Sequence, residues 1–319
     1  MNFPPTWETV RGGLAQHRVH AHPCRRGEVA GAIAEGLNRA NNAGLREGLA
    51  EGGYIVGRNL ALEERYADGH ADRIPGLIAE LLALNVDVLV TPGTTITRAA
   101  QRATTTVPVC VTSNPVGTGL VNSLSHPGGN ITGLSLLSGD LSVKWLELLK
   151  EAVPDLRRVA VLWNPDNAGT PLQLERMREA AKVLALDVTM LPTRPAEIEA
   201  NLAIMTTANF QGFVVTDDPT LELLTPRLVA LAAERHLPGL YPFNIAVQQG
   251  GLMSYSANYF AMWHRAAGYV VRILKGEYPA DLPIEQATEV MLAINLKTAR
   301  TLGLTIPPML LLTANEVIE

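Results

Sequence analysis

The sequence predicts an α/β fold of two lobes, each built on a parallel sheet, and three observations predict it. The β-branched apolar run at 86–90 stops at Thr91-Pro92-Gly93, as a buried strand does at its carboxyl end. Strand and helix patterns alternate from residue 60 to residue 111, and the alternation restarts at residue 159. A chain of 319 residues, 47% of them hydrophobic, is too long for one compact core. The fold class is therefore two Rossmann-like lobes with parallel sheets, joined by a multi-crossing hinge.

Residues 1–43 form an atypical N-terminal segment, which we expect to be poorly ordered at its start. The first 27 residues are rich in proline, glycine and histidine and contain no run of strand-forming residues. A helical pattern then begins at residue 28 and continues to residue 49, where Gly52-Gly53 gives a stop signal. No short apolar first strand is expected before it.

The first lobe continues with a strand at 60–66, a helix at 74–82, the strand at 86–90, a helix at 96–103 and strands at 107–111 and 131–134. The second lobe has strands at 159–163, 187–191, 212–216 and 238–241, separated by helices. A strand at 250–255 is expected to return to the first sheet. The predicted boundaries are 44–133 plus 252–276 for lobe 1, and 134–251 plus 277–319 for lobe 2. Because glycine absorbs dihedral changes at little steric cost, the hinge is expected near Gly133, Gly250-Gly251 and Gly276.

Polar side chains follow two successive strands of the first lobe. Thr94 and Thr95 begin the helix after the strand at 86–90, and Ser113 and Asn114 follow the strand at 107–111. The carboxyl ends of parallel strands share one edge of a sheet, which is where ligands bind in open α/β folds. Backbone N–H groups at a helix N-terminus suit a carboxylate or a phosphate. The alternative for any one of these residues is a simple capping role.

The second lobe has matching polar loops. Asn164 follows the strand at 159–163, and Asp217-Asp218 follows the strand at 212–216. One aspartate of such a pair commonly caps the next helix, and the other is available to pair with an amine. The sequence does not decide which of the two faces the cleft.

Composition and motifs exclude several classes of function. A net charge of −5 without basic clusters argues against nucleic acid. The chain lacks the phosphate-binding, dinucleotide-binding, zinc-protease and serine-hydrolase motifs. His17, His20 and His22, with Cys24 nearby, lie in a segment with no scaffold to fix metal geometry, so we expect no metal and no cofactor. Cys110 is the candidate acid/base thiol of an alternative enzyme, although a cysteine inside a strand is usually a buried apolar residue.

Several runs of the chain resemble a known family over nearly all of residues 44–319. They are GYIVGRNLALEERYADGHADRIPGLIAELLALNVDVLVTPGT, NPVGTGLVNSLSHPGGNITGLS, KWLELLKEAVPDLRRVAVLWNP, GGLMSYSANYF and INLKTARTLGLTIPPMLLLTANEVIE. In this order they are similar to the ABC-transporter substrate-binding protein family that includes the tryptophan-binding TrpX-type proteins. The resemblance implies a type I periplasmic binding protein fold. It also implies a solute-binding protein, not an enzyme, that takes an amino-acid-like or aromatic carboxylate and delivers it to ABC permease subunits at the membrane.

The resemblance also implies a set of ligand-binding residues and a location. Thr94, Thr95, Ser113 and Asn114 would bind from the first lobe, and Asn164, Asp217, Tyr241 and Phe243 from the second. The location would be periplasmic or in the cell envelope, although residues 1–43 show no signal peptide or lipobox. Two alternatives stay open, namely an enzyme of the two-cysteine racemase type and a ligand-sensing regulatory domain without its DNA-binding part.

Overall fold

The computed structural model describes residues 28–34, 39–136 and 138–319. Two parallel-dominated sheets form the centres of two lobes, with helices packed on the faces of each. The strands are β1 (Glu28–Ala34), β2 (Leu60–Tyr66), β3 (Val88–Pro92), β4 (Val109–Ser113), β5 (Ile131–Ser135), β6 (Arg158–Trp163), β7 (Asp187–Pro192), β8 (Gly212–Val215), β9 (Gly239–Tyr241), β10 (Met253–Ala257), β11 (Glu285–Gln286), β12 (Val290–Asn295) and β13 (Glu316–Ile318).

The longer helices contribute most of the layers around the sheets, and short helices connect them. They are α1 (Arg39–Glu51), α2 (Ile74–Ala83), α3 (Gly93–Ala103), α4 (Ser138–Ala152), α5 (Thr170–Val183), α6 (Ile198–Thr207), α7 (Pro219–Leu223), α8 (Thr225–Glu234), α9 (Ile245–Gln248), α10 (Tyr259–Leu274), α11 (Leu296–Thr301) and α12 (Pro308–Thr313).

The first sheet has the spatial order β11-β5-β4-β3-β1-β2, and every pair in it is parallel. The second has the order β13-β12-β10-β9-β8-β6-β7, in which β10 and β12 are antiparallel and the other pairs parallel. Central strands such as β3, β4 and β8 are buried along nearly their whole length, because helices cover both faces of each sheet. The predicted α/β class with two parallel-dominated sheets is confirmed.

Helices α1 and α10 cover one face of the first sheet and approach each other unusually closely. A β-carbon on Gly44 would lie 2.5 Å from the carbonyl oxygen of Phe260, and one on Gly48 would lie 2.6 Å from that of His264. Only glycine allows this separation of the two helix backbones. α10 is therefore fixed to lobe 1, although the strand before it belongs to the other lobe.

The first strand is present, and its predicted absence is wrong. Residues Glu28–Ala34 form β1, which pairs in parallel with β2 and β3 through the registers Glu28↔Leu60 and Ala30↔Val88. The helical interpretation of this stretch relied on the spacing of Ile33 and Leu37. Its alanines and glycine have weak strand propensity, and the position between two strands overrides that propensity. The stretch predicted to be poorly ordered, at the start of residues 1–43, lies outside the residues that the structure describes.

The strand at 250–255 was assigned to the wrong sheet. It corresponds to β10, which lies in the second sheet between β9 and β12, with Met253 opposite Leu240 and Ile294. Conversely, β11 pairs with β5 in the first sheet. A local pattern shows a strand but not its neighbours, since pairing is decided over long sequence distances. By sheet membership we assign 28–135 and 259–286 to lobe 1, and 138–257 and 290–318 to lobe 2.

The chain therefore crosses between the lobes after β5, between β10 and α10, and between β11 and β12. The first crossing lies close to the predicted Gly133, whereas Gly250-Gly251 and Gly276 lie away from the other two. Gly133 lies within β5, Gly250 follows α9, and Gly276 follows α10. The second and third crossings are joined, because the Asn258 amide donates to the Glu289 carbonyl at 2.9 Å. Two of the three crossings are therefore held side by side.

Gly133 is needed instead for strand packing, and this generates a prediction. A β-carbon there would lie 2.4 Å from the Val111 carbonyl oxygen, at a φ of 130°. We expect Gly133→Ala to lower the free energy of unfolding by at least about 2 kcal/mol, from overpacking and backbone strain. Urea unfolding measures this. Gly268→Ala is the control, because Gly268 lies in α10 with no atom near its absent β-carbon and should be neutral or stabilising. Equal stability of the Gly133 variant and the unmodified protein would contradict the packing role.

Candidate functional site

The carboxyl ends of the two sheets face each other across a cleft, and loops from both lobes line a pocket there. Its volume is about 330 Å³, including space open to solvent. Lobe 1 contributes Ala71 and the start of α3, and lobe 2 contributes the loops after β6 and β8. The lining residues are Ala71, Pro92, Gly93, Thr94, Thr95, Ile96, Asn164, Asp166, Asn167, Asp218, Pro219 and Thr220.

The lobe 1 side of the pocket is the N-terminus of α3. Thr94 is buried and Thr95 is partly buried, and both line the pocket, as does Asn164 from lobe 2. The Thr97 hydroxyl donates to the Gly93 carbonyl at 2.7 Å and lies 3.0 Å from the Thr91 hydroxyl, which fixes the turn between β3 and α3. The first backbone N–H groups of a helix have no partner within it and carry partial positive charge. This end of α3 is therefore suited to a carboxylate.

Asp218 has a structural role in the lobe 2 side of the pocket. Its carboxylate accepts hydrogen bonds from the Leu221 amide at 2.9 Å, from Asn164 Nδ2 at 3.1 Å and from Asn167 Nδ2 at 2.8 Å. It thereby caps α7 and joins the loops after β6 and β8. Burial raises the pKa of Asp218, and these hydrogen bonds oppose that effect. Three donors already occupy this carboxylate.

Asp217 is the less stabilised of the two carboxylates. It is partly buried, and its Oδ1 accepts a hydrogen bond from the Tyr259 hydroxyl at 2.9 Å. Desolvation raises the pKa of Asp217 to about 6, the Tyr259 hydrogen bond opposes the rise, and the charge of Asp218 adds to it. A carboxylate has about four acceptor positions. Asp217 therefore has capacity for a further donor, and a positive charge beside it would offset its desolvation.

Ser113 and Asn114 differ in what they contribute at the end of β4. The Ser113 hydroxyl is buried, and its oxygen has no hydrogen-bond partner among the described residues. Such orphaned groups are rare and commonly indicate a missing water or ligand. Asn114 instead shapes the turn that follows, because its Oδ1 accepts from the Gly117 amide at 3.1 Å. Ser113 is thus the stronger candidate for contact with a ligand.

Tyr241 and Phe243 were predicted together, but only Phe243 packs beside Tyr259, the residue that contacts Asp217. Tyr241 is 1% exposed in the core of lobe 2, with its ring edge-on to Phe213 at a centroid distance of 5.5 Å. The ring of Phe243 lies 6.0 Å from that of Tyr259, the residue that contacts Asp217. β9 ends at Tyr241, so Phe243 lies in the segment after the strand, where the chain direction changes and the side chain has other neighbours. Tyr241 therefore lies in the core and not at the pocket.

Residues missed by the sequence analysis include Asn167, Thr220 and Tyr259. Asn167 and Thr220 belong to loops whose first residues were identified, so extending those candidate sets by three residues would have found them. Tyr259 begins α10 after a crossing between lobes. No local pattern connects it with Asp217, because their proximity depends on how the lobes pack.

The other candidate chemistry of the sequence is not supported. Cys110 is fully buried, its Sγ lies 3.7 Å from the Ala266 carbonyl oxygen, and burial raises its pKa to about 12. A thiol in this state is not positioned as an acid or base. Cys24 and the three N-terminal histidines lie outside the described residues. Between α1 and α10, His264 Nε2 lies 3.0 Å from a carboxylate oxygen of Glu51.

Comparison with known proteins agrees with this architecture. The family described as ABC transporter substrate binding protein matches residues 31–318. A tyrosine-binding protein from Clostridioides difficile (strain R20291) is 25% identical over 265 residues, which cover 82% of this chain and 76% of that protein. Among the described residues, no helix is both long enough and apolar enough to span a membrane.

Two solved structures are similar over nearly the whole chain. One is a conserved domain protein from Vibrio cholerae O1 biovar El Tor, with a TM-score of 0.85, 28% identity, and coverage of 92% of this chain and all of that one. The other is an ABC domain in complex with L-Trp from Streptococcus pneumonia, with a TM-score of 0.82, 26% identity, and coverage of 91% and 100%. The chain has a type I periplasmic binding protein fold and belongs to the ABC transporter substrate-binding protein family.

Proposed function

We propose that this protein binds an aromatic amino acid between its lobes and delivers it to ABC permease subunits. The observation that carries the proposal is the pairing of two complementary features across one cleft. Lobe 1 presents the N-terminus of α3 with Thr94 and Thr95, which line the pocket. Lobe 2 presents the partly desolvated carboxylate of Asp217, which is not itself a lining residue but directly precedes the pocket-lining Asp218. These suit the carboxylate and the ammonium group of an amino acid.

Aromatic side chains beside Asp217 support an aromatic ligand. Phe243 and Tyr259 form a tilted ring pair next to this carboxylate. Rings of this kind contribute large apolar contact areas and favourable aromatic pairing. The tyrosine-binding name of one relative and the L-Trp complex of another point to the same class of ligand.

The same arrangement explains how binding gains free energy. Burying a carboxylate without a full set of partners is costly, and a raised pKa expresses that cost. A ligand ammonium beside Asp217 supplies the missing charge and donors. Because family members deliver solutes to membrane permeases, the proposal places the protein in the periplasm or the cell envelope. The inaccessible thiol of Cys110 gives no support to the racemase-type alternative.

A ligand panel tests the proposal directly. L-tryptophan and L-tyrosine should raise the melting temperature, since a ligand bound only by the native state adds about 2.7 kcal/mol at a hundredfold excess over Kd. Indole-3-propionate lacks the amine and tryptamine lacks the carboxylate, so each should give a much smaller shift. Thermal-shift assays, followed by calorimetry, measure this. If the two analogues matched the amino acids, the assignment of both cleft features would be wrong, and no shift with any amino acid would contradict the proposed function.

Asp217→Asn tests the amine-binding role. Removing one partner of a desolvated charge pair costs about 2–5 kcal/mol, so we expect affinity for the amino acid to fall by a factor of roughly 30 or more. The matched control is Asp218→Asn, which places an amide nitrogen among the donors from Asn164, Asn167 and Leu221. That control should lower stability by about 1–3 kcal/mol. Calorimetry and melting curves on both variants separate the two roles, and unchanged affinity of Asp217→Asn would rule out amine binding there.

Ligand affinity should rise with pH, whereas the contribution of Asp217 to folding stability should fall with pH. In the ligand-free protein Asp217 protonates at a pKa of about 6. Only its ionised form pairs with an ammonium, so affinity should fall about tenfold between pH 7 and pH 5. The folded-state pKa exceeds the unfolded value of about 4, so the folded state binds more protons between these values. The Asp217 contribution to stability is therefore present below pH 4 and is lost as pH rises through 6.

Titration calorimetry and urea unfolding across this range, with Asp217→Asn as control, test both signs. The variant should show a flat affinity profile and should lack this part of the stability profile. A wild-type affinity that did not change between pH 7 and pH 5 would contradict the role of Asp217 as the ionised partner of the ligand amine.

A further inference from the structure

Tyr259 stands at the second crossing between the lobes, at the first position of α10. Asn258 caps this helix, with its Oδ1 accepting from the Ala261 amide at 3.1 Å. The Tyr259 side chain packs against the hydrophobic core of lobe 1, to which α10 is fixed by its close contact with α1. The body of this residue therefore belongs to lobe 1.

The far end of the same side chain contacts lobe 2. Its hydroxyl donates to Asp217 Oδ1 at 2.9 Å, and its ring lies 6.0 Å from that of Phe243 at an interplanar angle of 32°. Asp217 follows β8 and Phe243 follows β9, both strands of the second sheet. One side chain thus connects the core of lobe 1 with the cleft edge of lobe 2.

These contacts occur with the lobes together. On a different side of the cleft, a β-carbon on Gly69 of lobe 1 would lie 3.4 Å from Leu223 and 3.6 Å from Thr220 of lobe 2. The crossing itself is held by a separate pair of bonds, in which the Asn258 amide donates to the Glu289 carbonyl at 2.9 Å and Asn258 Nδ2 donates to Glu289 Oε2 at 3.2 Å. Rotation about this crossing can separate Tyr259 from Asp217 while the hinge bonds remain.

We propose that Tyr259 is a positioning residue that holds the lobes closed and fixes the Asp217 carboxylate for the ligand amine. This inference rests on the proposed function for its second part, whereas lobe closure does not depend on which ligand is bound. Hydrogen bonds to charged acceptors are among the stronger ones in proteins, and a bond across a hinge contributes only to the closed state. Its loss should therefore act mainly on ligand release.

The electrostatic surroundings of Tyr259 keep its hydroxyl protonated, so that it donates the hydrogen bond to Asp217. Burial raises the pKa of Tyr259 above its usual value, and the charges of Asp217 and Glu222 raise it further, so the hydroxyl remains a donor at neutral pH. In return, this hydrogen bond favours the ionised form of Asp217, while the neighbouring charge of Asp218 opposes that form. Removing the hydroxyl should therefore move the pH midpoint of ligand binding upward.

Tyr259→Phe tests the inference, because it removes the hydroxyl and keeps the ring. With L-tryptophan and L-tyrosine as probes, we expect the dissociation rate to rise about tenfold or more with an association rate within about twofold, measured by stopped-flow fluorescence. The pH midpoint of binding should rise, and small-angle scattering of the ligand-free variant should give a larger radius of gyration.

Tyr269→Phe is the matched control, since it lies in the same helix and loses a hydrogen bond to the Pro283 carbonyl at 2.6 Å within lobe 1. It should lower stability without changing the dissociation rate, the pH midpoint or the radius. A Tyr259→Phe variant with the wild-type dissociation rate, pH midpoint and radius of gyration would overturn the inference. If wild type bound neither amino acid, the proposed function would fail, and the scattering comparison would still decide whether Tyr259 holds the lobes closed.

Discussion

Two adjacent carboxylates at the end of β8 differ in how their negative charge is stabilised, and the arrangement of the cleft depends on that difference. Asp218 receives donors from the Leu221 amide and from two asparagine side chains of the loop after β6. Asp217 receives a phenol hydroxyl from the opposite lobe. The first carboxylate is thereby committed to holding the loops, which leaves the second as the group whose charge a ligand can complete. In the proposed function, a ligand ammonium beside Asp217 offsets the desolvation of this carboxylate, and that relief contributes to the free energy of binding.

The sheets make this difference possible by fixing where each loop begins. β3, β6 and β8 end at the facing edges of two sheets whose strands are buried and closely packed, so the loops after them start from rigid positions. The start of α3 needs such support, because an N-terminus stabilises an anion only if its N–H groups are held in place before the ligand arrives. The side-chain bonds of Thr97 to the turn before α3 provide part of it.

Sequence patterns predicted the parts of the fold that are decided locally. The strand at 86–90 and the polar residues after it follow from a β-branched run ending at a turn, and Thr94 and Thr95 line the pocket as that pattern indicated. β1 was missed because its alanines and glycine carry little strand signal, and its pairing with β2 and β3 decides its conformation. β10 was found but placed in the wrong sheet, since its neighbours β9 and β12 come from distant parts of the chain.

The candidate site shows the same division between local and long-range information. That one of two adjacent aspartates caps a helix was predicted, but only the contacts show that it is Asp218.

Glycines do not mark the second and third crossings between the lobes. Gly133 serves close packing against β4, because an added β-carbon there would lie 2.4 Å from the Val111 carbonyl oxygen. The crossing between β10 and α10 instead uses Asn258, whose side chain caps α10 and bonds to Glu289 of the next crossing. These bonds between Asn258 and Glu289 hold the two crossings together. Closure can then depend on contacts that form only when the lobes meet, and in our proposal the contact of the Tyr259 hydroxyl with Asp217 is one of them.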